Sequence, residues 1–256
     1  MYREHRPHVA LAPFVDRLWT RSAAAGPAPP RRILPDGCID ILVDLAGGGR
    51  VSAIGTMTRP LVVDGGVAAL QVAVRFRPAG AVPFLGVAAD ALTDRRVDGD
   101  DLDRLGWLRG EPLGEASDVD EAVRALERML LARLAGVPRP DARIAHAVTA
   151  LAAAEAPSVD ALARALGWSR QHLRRTFIAQ VGVGPKEFAR VARLQRAVDR
   201  LQRGRRGDGA RVAADLGYFD QAHMAHDFRA LAGVTPAEAR SSAGSIFPIR
   251  SLYAGA

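Results

Sequence analysis

The chain has 256 residues, 48 % apolar and 25 % charged, which suits two globular cores of ordinary size and excludes a fibrous or disordered chain. Its single cysteine, Cys38, excludes an internal disulfide and any multi-cysteine zinc site, and points to a reducing compartment. The charged start MYREHRPHV lacks the apolar core of a secretory signal, and the charge-free run 78–89 is too short to span a bilayer, so the expected location is the cytoplasm with no membrane partner.

In chain order, PAPPRRILPD (27–36) reads as loop. CIDILVDL (38–45), RVSAIG (50–55), PLVVD (60–64) and VAALQVAVRF (67–76) read as closely spaced strands, with Asp64-Gly65-Gly66 predicting a hairpin between the last two. RPAGAVPFLG (77–86) breaks the pattern, and 90–105 is acidic loop or short helix. A helix is predicted from Ser117, capped by Ser117 with Asp120 three residues on, and carrying Val119, Val123, Leu126, Met129 or Leu130, and Leu134 on one face. That face either packs on the β domain or pairs with a copy of itself, so the chain is expected to be a monomer or a homodimer. AGVPRP (135–140) reads as a linker, and the pattern is helical from there to residue 240. The expected fold class is α+β. A β-rich regulatory domain covers 1–116, a connecting or dimerisation helix 117–135, an all-α domain 136–241 and a flexible tail 242–256.

Charge divides along the same line. Residues 1–136 hold 17 Arg or Lys and 18 Asp or Glu, a net of −1, whereas 137–256 hold 18 and 10, a net of +8. Within 164–206, 12 basic residues face only Glu187 and Asp199. A near-neutral half joined to a basic half suggests that the second half meets a polyanion.

The basic half contains an internal repeat. LARALGW (162–168) aligns with VAADLGY (212–218) at an offset of 50. After the extra residue Phe219 the offset becomes 51, pairing Leu173 with Met224, Phe177 with Phe228, Gly182 with Gly233 and Pro185 with Pro236. Each copy reads as helix, glycine turn (Gly167, Gly217), N-cap (Ser169, Asp220) and second helix, the helix-turn-helix unit. Between the copies, Phe188, Val191, Leu194, Val198 and Leu201 form one stripe of a continuous helix over 186–202, about 25 Å long at 1.5 Å per residue. Such a spacer suits two reading helices set one duplex turn, roughly 34 Å, apart. With the apolar pairs inward, the first reading helix presents Arg170, Gln171, Arg174 and Arg175 with His172 beside them; Ser169 precedes them, and Arg190 and Arg193 lie off the linker stripe. Arg and Gln make two-bond contacts to guanine and adenine, and Arg also grips phosphate. The second helix presents Gln221, Ala222, His223, Ala225 and His226 with Arg229 one turn on. Being poorer in charge, it is expected to position rather than to read.

The stretches ALARALGWSRQHLRRTF, GVGPKEFARVARLQRAVDRL and VAADLGYFDQAHMAHDFRALAGVTPAEAR resemble the AraC/XylS family of bacterial transcription regulators over roughly residues 140–240. The pattern Gly-Tyr-x-Asp-Gln-x-His, then Phe-Arg and Gly-x-Thr-Pro, is more specific to that family than to helix-turn-helix proteins at large. The resemblance implies two units in adjacent major grooves of double-stranded DNA, behind an N-terminal domain that senses a signal or dimerises. By position it assigns DNA contacts to Gln171, Arg174 and Arg175, and to Gln221, Ala222, His223, Ala225 and His226. Met224 departs from the usual aromatic, and His226 stands where Arg is common. LPDGCIDILVDL and RFRPAGAVPFLG are similar to a β-rich domain that precedes this DNA-binding domain in some relatives. Further partners held open are RNA polymerase and a small-molecule effector, the latter in a pocket lined by Ile, Val and Phe. No catalytic constellation, cofactor motif or metal set is read, so the chain is not expected to be an enzyme: Gly47-Gly48-Gly49 lacks the Lys of a phosphate loop, and His223 and His226 lack a completing ligand. The alternative is a chemical sensor or enzyme centred on the Cys38 thiol, alone or with a metal held by His5 and His8.

Overall fold

A computed structural model of the chain describes residues 1–23, 26–27, 29–65, 69–101, 108, 113, 116, 118–204, 208–241 and 246–247. Its N-terminal part is built on an antiparallel sheet of six strands in the order β1-β2-β7-β4-β5-β8: β1 Tyr2–His5, β2 Val15–Ala23, β7 Ala69–Phe76, β4 Ile39–Asp44, β5 Arg50–Ile54 and β8 Arg96–Asp98. A second sheet places β3 (Arg31–Ile33) between β6 (Leu61–Val63), antiparallel, and β9 (Ile246–Phe247), parallel.

Strand alternation sorts the large sheet into two faces. Ile39, Ile41 and Val43 of β4 and Val72, Val74 and Phe76 of β7 point into the main core. There they meet Phe84 and Leu85 of the short helix α1 (Val82–Leu85) and the inner face of helix α2 (Val119–Leu134). Helix α2 buries Ala122, Val123, Ala125, Leu126 and Leu130 in this core, so the apolar stripe is spent on its own β domain rather than left for a copy, and the domain's core runs beyond residue 116. Its N-cap is Asp118, whose carboxylate accepts the Glu121 N–H at 2.7 Å; Ser117, expected to cap it, lies outside the described residues.

The other face carries Trp19, Leu42 and Ala73 in a row, with Ser52 and a charged group around Arg75. Trp19 Nε1, Arg21 Nε and Ser52 Oγ are buried without hydrogen-bond partners among the described residues. The stretch 27–36, expected as loop, carries strand β3, and 90–105, expected as loop or short helix, carries β8, while β1 and β2 form where the sequence shows no strand pattern. The hairpin predicted at Asp64-Gly65-Gly66 does not form, because β7 is flanked by β2 and β4 and β6 pairs instead with β3; Gly66 itself lies outside the described residues. And Ile246 and Phe247, placed in a flexible tail, pair with β3.

From residue 141 onward the described chain is helical except for β9: α3 Ala142–Ala152, α4 Val159–Ala165, α5 Arg170–Val181, α6 Pro185–Arg203, α7 Gly209–Asp215, α8 Gln221–Ala232 and α9 Pro236–Ser241. Helices α3, α4, α5 and the start of α6 surround one core, with Ile144, Leu162, Leu173, Phe177 and Phe188 inside. The rest of α6 with α7, α8 and α9 surrounds a second, with Leu194, Leu201, Val212, Met224 and Phe228 inside. No helix is long and apolar enough to cross a membrane among the described residues.

Arg75 donates from Nε and Nη2 to the two carboxylate oxygens of Asp40 at 3.0 and 2.8 Å, while Asp36 Oδ2 lies 3.7 Å from Nε. Asp36, the more buried carboxylate, is pushed up from 3.8 to about 6 by burial, against the pull of Arg75. Folded Asp36 therefore holds its proton to higher pH than the unfolded chain does. It contributes stability that is fully present below about pH 4 and is lost as pH rises through about 6, worth about 3 kcal/mol at 1.4 kcal/mol per unit. Urea melts should show Asp36→Asn gaining up to about 3 kcal/mol on the native protein between pH 4 and pH 7.5; parallel pH profiles would contradict the assignment.

Candidate nucleic-acid interface

The two helical cores are copies, and the copy is longer than the helix-turn-helix. ARIAHAVTALA (142–152) aligns with ARLQRAVDRLQ (192–202) at the same offset of 50. Ile144, Ala147 and Leu151 of α3 and their counterparts Leu194, Ala197 and Leu201 of α6 are all buried. At the far end, Phe188 and Ala239, 51 apart, are both fully buried. Helix α6 is thus the last element of the first unit and the first of the second.

Each unit locks its turn in the same way. Gly167 and Gly217 take φ of +67° and +70°, a conformation that a Cβ would strain. The next residue, Trp168 or Tyr218, donates its N–H back to Ala163 or Ala213 at 2.9 Å. Ser169 Oγ accepts the His172 N–H at 3.1 Å and Asp220 Oδ1 accepts the His223 N–H at 2.7 Å, capping α5 and α8. The aromatic ring is held edge-on by a histidine of the reading helix, His172 on Trp168 and His223 on Tyr218. It is covered by an arginine from the first helix of the unit, Arg143 of α3 at 4.6 Å and Arg193 of α6 at 4.4 Å.

Ser169, Arg170, Gln171, Arg174 and Arg175 of the first unit are exposed, with His172 half-buried against Trp168. In the second unit Gln221, Ala222, His226 and Arg229 are exposed, and His223 and Ala225 half-buried. The imidazole Nδ1 of His223 accepts the Phe219 N–H at 3.2 Å, which puts the ring proton on Nε2. Phe219, the inserted residue, stands 92 % exposed at the tip of that turn.

Arg190 and Arg193 sit differently from the sequence expectation. Both are engaged by Asp227 on α8, which is 1 % exposed: Arg190 donates to Oδ1 at 2.8 and 3.2 Å, and Arg193 approaches Oδ2 at 3.4 Å while donating to the Gly217 carbonyl. A carboxylate so buried requires counter-charge, and these two arginines pin α8 to α6. The first unit has Thr176 at the equivalent position and no such pair.

The β domain meets both reading helices at their C-caps, Gly182 and Gly233, which are repeat equivalents. Thr56 Oγ1 donates to the Val181 carbonyl at 2.6 Å and Thr93 Oγ1 to the Gly182 carbonyl at 2.7 Å. Asp94, in left-handed backbone at φ +56°, ties the two threonine loops together by accepting from Thr58 N and Oγ1 and donating its own N–H to Thr56 O. At the second cap, a Cβ on Gly233 would come within 2.7 Å of Arg32 Nη1. Leu34 is buried in the second unit's core, and Gln195 Nε2 donates to the Pro35 carbonyl at 2.6 Å.

Cys38 is buried, and burial, then Asp36, pushes its thiol well above the usual range. That removes the thiolate a reactive cysteine needs. His8 Nδ1 caps a 3-10 turn by accepting from Ala10 N, and His5 lies 3.5 Å from Thr20 Oγ1. No group of three His, Cys, Asp or Glu poised for a metal occurs among the described residues.

A family model described as a helix-turn-helix domain matches residues 162–242, and one described as a domain of unknown function matches 3–98. The HTH-type transcriptional regulator YbfI of Bacillus subtilis, itself uncharacterized, is 35 % identical over 71 residues, which are 28 % of this chain and 25 % of that protein. The chain therefore spans about a quarter of the length of that curated relative. A solved transcriptional regulator with an AraC-type DNA-binding domain from Chromobacterium violaceum is 27 % identical, with 39 % of this chain and 90 % of that one covered and a TM-score of 0.37. ToxT from Vibrio cholerae O395 is 10 % identical, with 100 % and 97 % covered and a TM-score of 0.42.

The asymmetry at Asp227 is measurable. Asp227→Ala leaves two arginines without their carboxylate and should destabilise the helical domain by about 2 kcal/mol in urea melts, whereas Thr176→Ala should cost under about 1 kcal/mol. Equal costs would contradict the clamp.

Proposed function

We propose, from the match of residues 162–242 to a helix-turn-helix family model and the duplicated unit described above, that the chain is a sequence-specific DNA-binding transcriptional regulator of the AraC type. In this reading α5 and α8 enter consecutive major grooves of double-stranded DNA. The observation that carries it is the duplicated unit: two capped helices with exposed polar faces, mounted on one shared helix. Gln171, Arg174 and Arg175 are the base readers, by two-bond contacts. Ser169 and Arg170, with Arg229 on the second helix, contact backbone. Gln221, Ala222, His223, Ala225 and His226 form the second, weaker reading face. Arg190 and Arg193 serve this function by holding α8 through Asp227.

Control by the β domain is part of the proposal. Its support is that Thr56 and Thr93 at Gly182, and Arg32 at Gly233, reach equivalent points of the two units, and that Leu34 is buried in the second unit's core. A small-molecule effector would act through those caps. The sheet face bearing the unpartnered Trp19 Nε1, Arg21 Nε and Ser52 Oγ is where its hydrogen-bonding groups would be met.

Selection of bound fragments from genomic DNA should return one motif with two half-sites. On that motif, Arg174→Ala should lose about ten- to a hundredfold in affinity, more than His226→Ala loses. A larger loss from His226→Ala overturns the ranking, and no enriched motif, with binding that vanishes at moderate salt, overturns the reading. For the caps, Thr56→Val with Thr93→Val should weaken binding to the two-half-site duplex by about fivefold or more, with binding to the first half-site alone unchanged. Equal effects on both duplexes would contradict control through the caps.

A further inference from the structure

Phe219 is more exposed than any other large apolar side chain among the described residues, and the rest of that kind, Met1, Tyr2, Val9, Leu61 and Val62, all belong to the β domain. It stands directly before Asp220, the N-cap of α8. An apolar residue in that position ordinarily folds back onto the fourth residue of the helix. Here that residue, Met224, is sealed in the core, and Tyr218 fills the place that Trp168 fills in the first unit, so Phe219 is left outside. The backbone around it is fixed. The Tyr218 N–H donates to the Ala213 carbonyl, the Phe219 N–H donates to His223 Nδ1, and the Asp220 carboxylate accepts the His223 N–H. The ring is thus presented at the N-terminal end of the second reading helix, where Gln221 and Ala222 are also exposed.

We propose, resting on the DNA reading above, that Phe219 is a specificity-determining residue outside the reading helix: its ring, with Ala222, packs on the C5 methyl of a thymine in the second major groove. Residues at the N-terminal end of a reading helix meet base edges, and the thymine methyl is the apolar group that a major groove displays. Charge leaves this end of α8 little else to offer. Its first turn, Gln221 to Met224, holds no acidic residue and no arginine or lysine, the adjoining Asp220 is itself acidic, and the first arginine, Arg229, comes only in the last turn. A protein partner would need far more surface, since specific interfaces bury about 800 Å2 on each side. One ring flanked by Asp220, Gln221 and Ala222 is too small a patch for that and large enough to cover a methyl. The first unit has no counterpart, because Trp168 is followed at once by its cap Ser169. The inserted residue therefore gives the second unit an apolar means of reading that the Arg-rich first unit does not have.

Deoxyuridine removes the methyl of thymine and keeps every hydrogen-bonding group, so it isolates this contact. Binding of the full chain to its selected duplex should be measured with each thymine replaced in turn by deoxyuridine, for the native protein and for Phe219→Ala. At one thymine of the second half-site the replacement should weaken native binding about threefold to fivefold. Phe219→Ala should weaken binding to the unreplaced duplex by a similar factor or more, and should bind the thymine and deoxyuridine forms of that site equally. Its salt dependence should stay native, because an apolar contact releases no counterions, and its melting should stay native, because the side chain is exposed. A second half-site without thymine, or one at which no replacement weakens native binding, overturns the proposal and leaves the DNA reading intact. So does a Phe219→Ala protein that binds as tightly as the native one or still distinguishes the two forms. A native chain with no preferred duplex removes the DNA reading and the thymine contact together.

Discussion

One helix belongs to two cores, and the geometry of the C-terminal half depends on it. Phe188 and Ala192 of α6 are buried with α3, α4 and α5, while Val191, Leu194, Val198 and Leu201 are buried with α7, α8 and α9. At 1.5 Å per residue its 19 residues make a rod of about 28 Å. The two cores are not beads on a string, since neither can be completed without the same rod. Their separation and relative rotation are set by helical geometry rather than by a linker. Gln195 and Arg196 extend this role sideways, one bonding the Pro35 carbonyl of the β domain and the other the Ala152 carbonyl at the end of α3.

Buried charge then differentiates what duplication made alike. The units share turn, caps, aromatic–histidine contact and covering arginine, but only the second has a carboxylate, Asp227, sealed beneath the reading helix. The second unit is consequently tied more firmly to α6 and presents less free charge; the first is tied less and presents more. That division matches the proposed roles, one helix reading and the other seating. The Arg75, Asp36 and Asp40 group in the β domain follows the same physics, where one guanidinium shared by two carboxylates leaves the more buried of them short of counter-charge.

Much of this was legible in the residues. The repeat from Leu162 onward, both N-caps, both turn glycines and the stripe of α6 follow from local rules that tertiary context did not override. The extension of the repeat to α3 was also there, at the same offset of 50, but Ala-rich stretches align with many partners, and only the matched burial of Ile144 with Leu194 and Leu151 with Leu201 makes it secure. The β domain was read less well, for physical reasons. Strand β2 has Asp16 and Arg17 within it, a register shift between Val15 and Arg17 that breaks the two-residue period, and an ion pair from Arg17 to Glu4 that lets charge sit inside. Strand β6 was paired wrongly because a turn signal is local, whereas the neighbours of β7 are chosen by the whole sheet. That Arg190 and Arg193 lie off the apolar stripe is legible in the sequence; that a buried carboxylate 34 to 37 residues away engages them is not.

Two reading helices fixed to one rigid helix can meet their half-sites at one spacing only. Affinity should be measured for duplexes in which the two halves of the selected motif are moved apart in single base-pair steps. Affinity should show a sharp maximum with centres about one helical turn, roughly 10–10.5 base pairs, apart and a steep loss when about five base pairs are inserted, which turns the second groove to the far side of the duplex. Affinity that is flat across the series, or unchanged when the second half-site is removed, would contradict it.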